Sequence, residues 1–142
     1  MPDRAFGRPA ETGTTGTAGP ARVLVLVYGI FALAAGSRAT VQLATRFDEA
    51  PVAYLLSAFA ALVYVVATVG LARGAQGRRT ALAAIVVELA GVLVVGTLSL
   101  ADPAAFPDET VWSGYGRGYG YVPLVLPVLG LLLLRRTGRS RS

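Results

Sequence analysis

Cysteine, histidine and lysine are all missing from this 142-residue chain. Without thiol or imidazole there can be no disulfide, no thiolate or imidazole metal site, no cysteine nucleophile and no histidine base, which removes most enzyme mechanisms at the outset. Ser99 and Ser113 are left with neither histidine nor lysine to activate them, so a serine hydrolase is not supported. Charge is scarce too: 15% of residues are charged against 54% hydrophobic, and the mean hydropathy is +0.60. That balance is too apolar for an ordinary soluble domain of this length. The formal charge of +5 is carried entirely by arginine. The arginines flank apolar runs instead of gathering on one soluble face, so they read as membrane orientation and not as a nucleic-acid footprint.

Residues 1–21 are rich in Gly, Thr, Pro and Ala without apolar periodicity, and the expectation is a disordered cytoplasmic tail. Four apolar stretches follow, with spans expected at about 22–46, 51–72, 80–101 and 119–135. Pro51 suits the first turn of the second span, where its missing donor is harmless. The third is interrupted only by Glu88 and stops at Asp102-Pro103. Residues 102–118 are expected as a polar external loop, and 137–142 as a basic cytoplasmic tail. Pro123 and Pro127 fall in the last span and should bend or loosen its first half.

Arginine near span ends stays on the cytoplasmic side. With both termini inside, Arg4, Arg8, Arg22, Arg73, Arg78, Arg79, Arg135, Arg136, Arg139 and Arg141 are internal, while Arg46 and Arg117 are external and Arg38 lies in the membrane. The first apolar run, with Ala32-Leu33-Ala34, also fits a cleaved secretory signal. The hydrophobic segment continuing behind it favours a retained span.

An ionisable group in hydrocarbon costs roughly 2.5–3.5 kcal/mol on insertion scales, so Glu88 must find a partner. Levels along the helices predict an intramembrane polar cluster of Arg38, Tyr64 and Glu88, with Gln42, Thr68 and Ser57 as outer members. The cluster has a structural reading, as a hydrogen-bonded set that fixes helix register. It also has a functional reading, as a proton- or cation-responsive carboxylate; a third is that Glu88 faces a partner's helix. Small residues at four-residue spacing, Ala32, Gly36, Thr40 and Ala44 on the first span and Ala53, Ser57 and Ala61 on the second, are read as close-packing stripes, with Gly91 and Gly96 as flat spots on the third.

The stretch Trp112 to Tyr121 alternates glycine with aromatic residues. An interfacial aromatic belt accounts for most of it. The sharper reading is an external ligand or partner loop built on Trp112, Tyr115, Arg117 and Tyr119. Its Gly-x-Gly pieces follow no strand and open no Rossmann helix, so it is not a nucleotide fingerprint. Asp48, Glu49, Asp102, Asp108 and Glu109 match no calcium loop and read as a solvated acidic face.

Arg46-Phe47-Asp48-Glu49-Ala50-Pro51, Glu88-Leu89-Ala90-Gly91 and the Trp112–Pro123 stretch, together with arginine used to the exclusion of lysine, give the chain its general character. In these it resembles the uncharacterised small four-span integral membrane proteins of the actinobacterial type. The resemblance covers nearly all of the chain except its tails, implies no activity and hands over no site residues. The signatures of small multidrug exporters and of lipid-carrier flippases are not evident. The expectation is therefore an all-α, four-helix transmembrane bundle in a bacterial cytoplasmic membrane, N-in and C-in. It should be a non-enzymatic structural or accessory component without cofactor or metal, whose partners are membrane lipids and a homo-oligomer or larger membrane complex, not nucleic acid. The alternative is a small proton- or cation-coupled transporter or flippase using Glu88. A reporter fused after Ser142 should read out on the cytoplasmic face; labelling of that reporter by an impermeant reagent in intact cells would reverse the orientation.

Overall fold

The structure, a computed structural model, describes residues 9–106 and 109–141, with side chains for 19–106 and 109–136. Four α-helices, α1 (Pro9–Thr45), α2 (Pro51–Ala72), α3 (Arg78–Ala101) and α4 (Val122–Arg141), are linked by short 3-10 turns, and there is no strand among the described residues. The fold is an all-α bundle. Three stretches, Gly19–Thr45, Pro51–Ala72 and Gly74–Ala101, are long and apolar enough to cross a membrane, and a fourth crossing is reached if the bent pair Ser113–Tyr119 and Val122–Arg136 counts as one span.

The helix α1 reaches back to Pro9, inside the stretch expected to be a disordered tail. Extending a helix already nucleated by an apolar span adds one hydrogen bond per residue fixed, so weak helix formers can join its end. Of that tail, residues 1–8 lie outside the described residues, as do the side chains of the basic tail 137–142.

Successive helices pack as neighbours, most intimately α1 on α2, and of the four adjoining seams the one between α1 and α4 is the loosest. The polarity of the bundle is inverted relative to a soluble protein. Leu33 is 74% exposed and Leu26 64%, whereas Glu88 is 0%, Gln42 2% and Ser57 5% exposed. A surface ring of leucine and valine around a small, aromatic and polar interior is what lipid selects, because hydrocarbon solvates apolar side chains and satisfies no polar ones. One end of the bundle carries Arg22, Arg73, Arg78, Arg79, Arg135 and Arg136; the other carries Asp48, Glu49, Asp102 and Glu109. These are called below the arginine end and the acidic end.

Small residues set the helix approaches. A methyl group on Gly36 would lie 4.0 Å from the Ala61 Cβ, so the two predicted stripes meet there, although Thr40 and Ala44 of the same stripe are exposed. At the arginine end, a side chain on Gly70 would strike the backbone of Ala81, so only glycine lets α2 and α3 close there.

Residues 109–121 depart from expectation. This stretch folds back into the bundle toward α3 instead of forming an external loop: Val111, Trp112, Ser113, Gly114 and Gly116 are buried. Gly91 and Gly96, read from the sequence as spots for helix contact, instead receive rings, Gly91 lying under Trp112 and Gly96 under Tyr115. The segment turns by a left-handed run at Gly114 (φ 58°), Tyr115 (φ 62°) and Gly116 (φ 87°). Left-handed backbone costs roughly 1–2 kcal/mol at a residue with a Cβ, and only Tyr115 of the three bears it. Tyr115 is held by its ring on Gly96 and by a 2.8 Å hydrogen bond between its hydroxyl and that of Thr97. The segment meets α4 at 99°. The break falls ahead of Pro123 and Pro127, at Gly120 (φ 64°) and Tyr121 (φ 61°), which is why α4 starts at Val122 and not at Tyr119.

Trp112 is the only tryptophan, and at 1% exposure its fluorescence reports the seating of the segment. Gly91→Ala should shift that emission to the red, admit an aqueous quencher and destabilise by about 1–3 kcal/mol, because the added methyl falls inside the ring. Gly36→Ala, whose methyl has ordinary room, should leave emission unchanged and stabilise by about 0.5–1 kcal/mol. Thermal unfolding in detergent, followed by that emission, measures both.

Candidate functional site

The chemistry of the interior gathers around Glu88. The Tyr28 hydroxyl on α1 donates to its Oε1 at 2.5 Å, while Oε2 is buried with no hydrogen-bond partner among the described residues. Beside this pair stands Tyr64 of α2, its ring 6.1 Å from that of Tyr28 and 5.7 Å from that of Phe31. Tyr64 does not bond to Glu88. Its hydroxyl accepts the Trp112 indole N–H at 3.0 Å, and the two rings meet edge-on at 6.4 Å. Glu88, Tyr28 and Tyr64 are all 0% exposed. Tyr28, Glu88, Tyr64 and Trp112 thus form two adjacent hydrogen-bonded pairs in contact through their rings, closed on the acidic side by the indole seated on Gly91, one turn beyond Glu88.

Two of the three predicted members, Tyr64 and Glu88, are thereby brought side by side. Arg38 is not with them. Its guanidinium is exposed near the acidic end and donates to the Tyr119 hydroxyl at 2.9 Å and to the Glu109 carbonyl at 3.4 Å. Helix direction explains the difference. Counted at about 1.5 Å per residue from the arginine end, Tyr28 rises about 9 Å above Arg22, Arg38 about 24 Å, and Glu88 about 14 Å above Arg79. Side chains lean toward the N-terminus of their own helix, and α1 and α3 run the same way, so the leans of Arg38 and Glu88 cancel and a gap of about 10 Å stays open. Tyr28 lies within reach of Glu88 by the same count. Since α2 runs oppositely, Tyr64, although level with Glu88, leans toward the acidic end and meets Trp112. Of the further members expected, Ser57 and Gln42 are buried, the Gln42 Oε1 without a partner among the described residues, and the Thr68 hydroxyl is spent on the Tyr64 carbonyl of its own helix at 2.6 Å. The sequence signal for Tyr28 was available: a lone hydroxyl in a run of Val, Leu and Ile, at a matching level, on a helix parallel to α3.

The expected external ligand loop is turned inward. Trp112 is buried and Tyr115 is bound to Thr97. Tyr119 supplies its hydroxyl to Arg38 and its ring to Phe31, at 5.7 Å. Arg117 alone of the four points outward, 3.9 Å from the Glu109 carboxylate in an exposed ion pair that contributes little. The driving force is satisfaction of the backbone, which hydrocarbon cannot supply. Within the segment, the Ser113 hydroxyl accepts the Thr110 N–H at 2.9 Å and the Thr110 hydroxyl accepts the Trp112 N–H at 3.1 Å. From α3, the Ser99 hydroxyl accepts the Gly114 N–H at 2.9 Å. Ser99 and Ser113 are therefore structural acceptors.

A buried carboxyl held at one oxygen can fix two helices together and can also carry a proton at the other. Tyr64→Phe should strand the indole N–H and lower unfolding free energy by about 1–3 kcal/mol, and Tyr64→Phe combined with Trp112→Phe, which removes acceptor and donor together, should cost less than the two single losses added. Equal stability of Tyr64→Phe and the parent in detergent unfolding would remove this bond from the account. In comparison with known proteins, no family model, no curated protein and no solved structure matches the chain.

Proposed function

We propose that the chain is a non-enzymatic structural or accessory component of a bacterial cytoplasmic membrane, inserted with both termini inside. In this reading the Tyr28–Glu88 pair locks the first helix to the third, and the Tyr64–Trp112 pair seats the re-entrant segment. The observation that supports it is the closure around Glu88: the acid is 0% exposed, bonded to a tyrosine of another helix and roofed by an indole. A polar pair in hydrocarbon specifies which helix faces meet, because every misregistered packing leaves both members unsatisfied. The arginine distribution supports the orientation.

A second reading, a small proton- or cation-coupled carrier or flippase, is favoured by one observation, the unpartnered Oε2 of Glu88. That oxygen is a free position for a proton in the middle of the membrane, and intramembrane acids often mark ion pathways.

A double-mutant cycle separates the two. In the structural reading, Tyr28→Phe and Glu88→Leu each leave a buried polar group alone and lower stability by about 1–3 kcal/mol, while the double variant recovers most of the loss because both partners are then apolar. The parent protein in proteoliposomes should conduct no protons. Normal folding of Glu88→Gln together with loss of a pH-gradient-driven flux seen in the parent would overturn the structural reading and establish the carrier.

A further inference from the structure

The seam between α1 and α4 is the loosest in the bundle, and at the arginine end it opens into a groove of about 760 Å³. Its walls are one turn of α1, carrying Val23 and Leu24, and the 129, 132, 133 and 136 face of α4, with Arg135 and Arg136 at the rim. Val23 is 58% and Leu132 51% exposed, while Leu24 beneath them is 6%. The opposite seam, between α2 and α3, is closed at this end by the Gly70 contact with Ala81, so the bundle is tight on one side and splayed on the other.

We propose that this groove binds one anionic phospholipid of the leaflet at the arginine end, its acyl chain lying along Val23, Leu129 and Leu132 and its phosphate held at Arg135 and Arg136. The observation that selects this occupant is charge complementarity at the correct depth. An apolar trough running into hydrocarbon and ending in exposed guanidinium groups matches a molecule with a chain below and a phosphodiester above. Guanidinium offers the forked donors that phosphate oxygens take in pairs. Arg22, exposed next to Val23 on α1 though not itself lining the groove, adds positive charge at the same end. A second copy of the chain fits less well: a two-fold pairing through this groove in one membrane would bring Arg22, Arg135 and Arg136 of both copies together at the same end, where like charges repel. The site is independent of what Glu88 does, since no residue is shared between them.

The test uses detergent-purified full-length protein in mixed micelles. Phosphatidylglycerol should raise Tm with the logarithm of its concentration above the dissociation constant, on the order of 4 °C at tenfold excess over it, and phosphatidylcholine should not. Glycerol phosphate, which has the anion without the chain, should give no shift. Leu132→Trp, which fills the trough, should abolish the response, and Arg135→Gln should reduce it at least threefold. Arg73→Gln, the same charge loss at the α2–α3 corner, should retain it in full. The proposal is overturned by equal shifts with both lipids, by a full shift with glycerol phosphate, by Arg73→Gln losing as much as Arg135→Gln, or by a folded Leu132→Trp that responds normally. It is also overturned by a dimer that Leu132→Trp dissociates. Native mass spectrometry of the unaltered protein needs no variant: one-to-one adducts of phosphatidylglycerol should exceed those of phosphatidylcholine at least tenfold, and parity would overturn the site.

Discussion

A carboxyl group placed in hydrocarbon has no water to turn to, and the arrangement of this bundle follows from how Glu88 meets that condition. Its Oε1 takes the Tyr28 hydroxyl across sixty residues of sequence, which ties α1 to α3 although α2 stands between them in the chain. Tyr64 on that intervening helix fills the space beside both, ring against ring with Tyr28, and passes its own hydroxyl to Trp112. Three helices and the inward-folded segment are thus registered through four side chains. Displacing any one helix by a turn, about 5.4 Å, would separate partners whose bonds tolerate a few tenths of an ångström.

The inward-folded segment 109–121 obeys the same condition on its main chain. Non-helical backbone at membrane depth is tolerated only where protein satisfies it, and here the hydroxyls of Thr110, Ser113 and Ser99 accept N–H groups that no helix ladder reaches. Two glycines of α3 make room for the rings that the segment carries inward. The alternation of glycine and aromatic residues is accordingly a device for folding a loop back against a helix: glycine at Gly114 and Gly116 permits the left-handed turn, the Trp112 ring before them fills the bundle and the Tyr115 ring between them covers Gly96. Beside the segment, the acidic end exposes the Arg117–Glu109 pair and Arg38, which reaches across to Tyr119.

The bundle is asymmetric between its two ends. At the acidic end the segment plugs the interior with Trp112 and lays Tyr115 over Gly96; at the arginine end the α2–α3 side is drawn tight by glycine while the α1–α4 side stays open. A fourth helix that starts late, at Val122, after a 99° bend, is committed to the segment at its beginning and packs mainly on α3 through Gly130 and Ile85, which leaves its other face to lipid.

What the sequence determined by itself is what depends on local composition. Long charge-poor runs with arginine at their ends dictate helices able to cross a bilayer, Pro51 and Asp102 mark where two of them begin and end, and the lone acid at Glu88 requires a buried partner whichever helix provides it. Tertiary structure decided which partner that is. Level and helix direction made Tyr28 eligible, but which face of α1 turns toward Glu88 is a property of the assembled bundle. The inward fold of Trp112 was hidden for the same reason: interfacial and buried tryptophans look alike in sequence, and only the bare backbone of Gly91, brought opposite by packing, makes the interior position available.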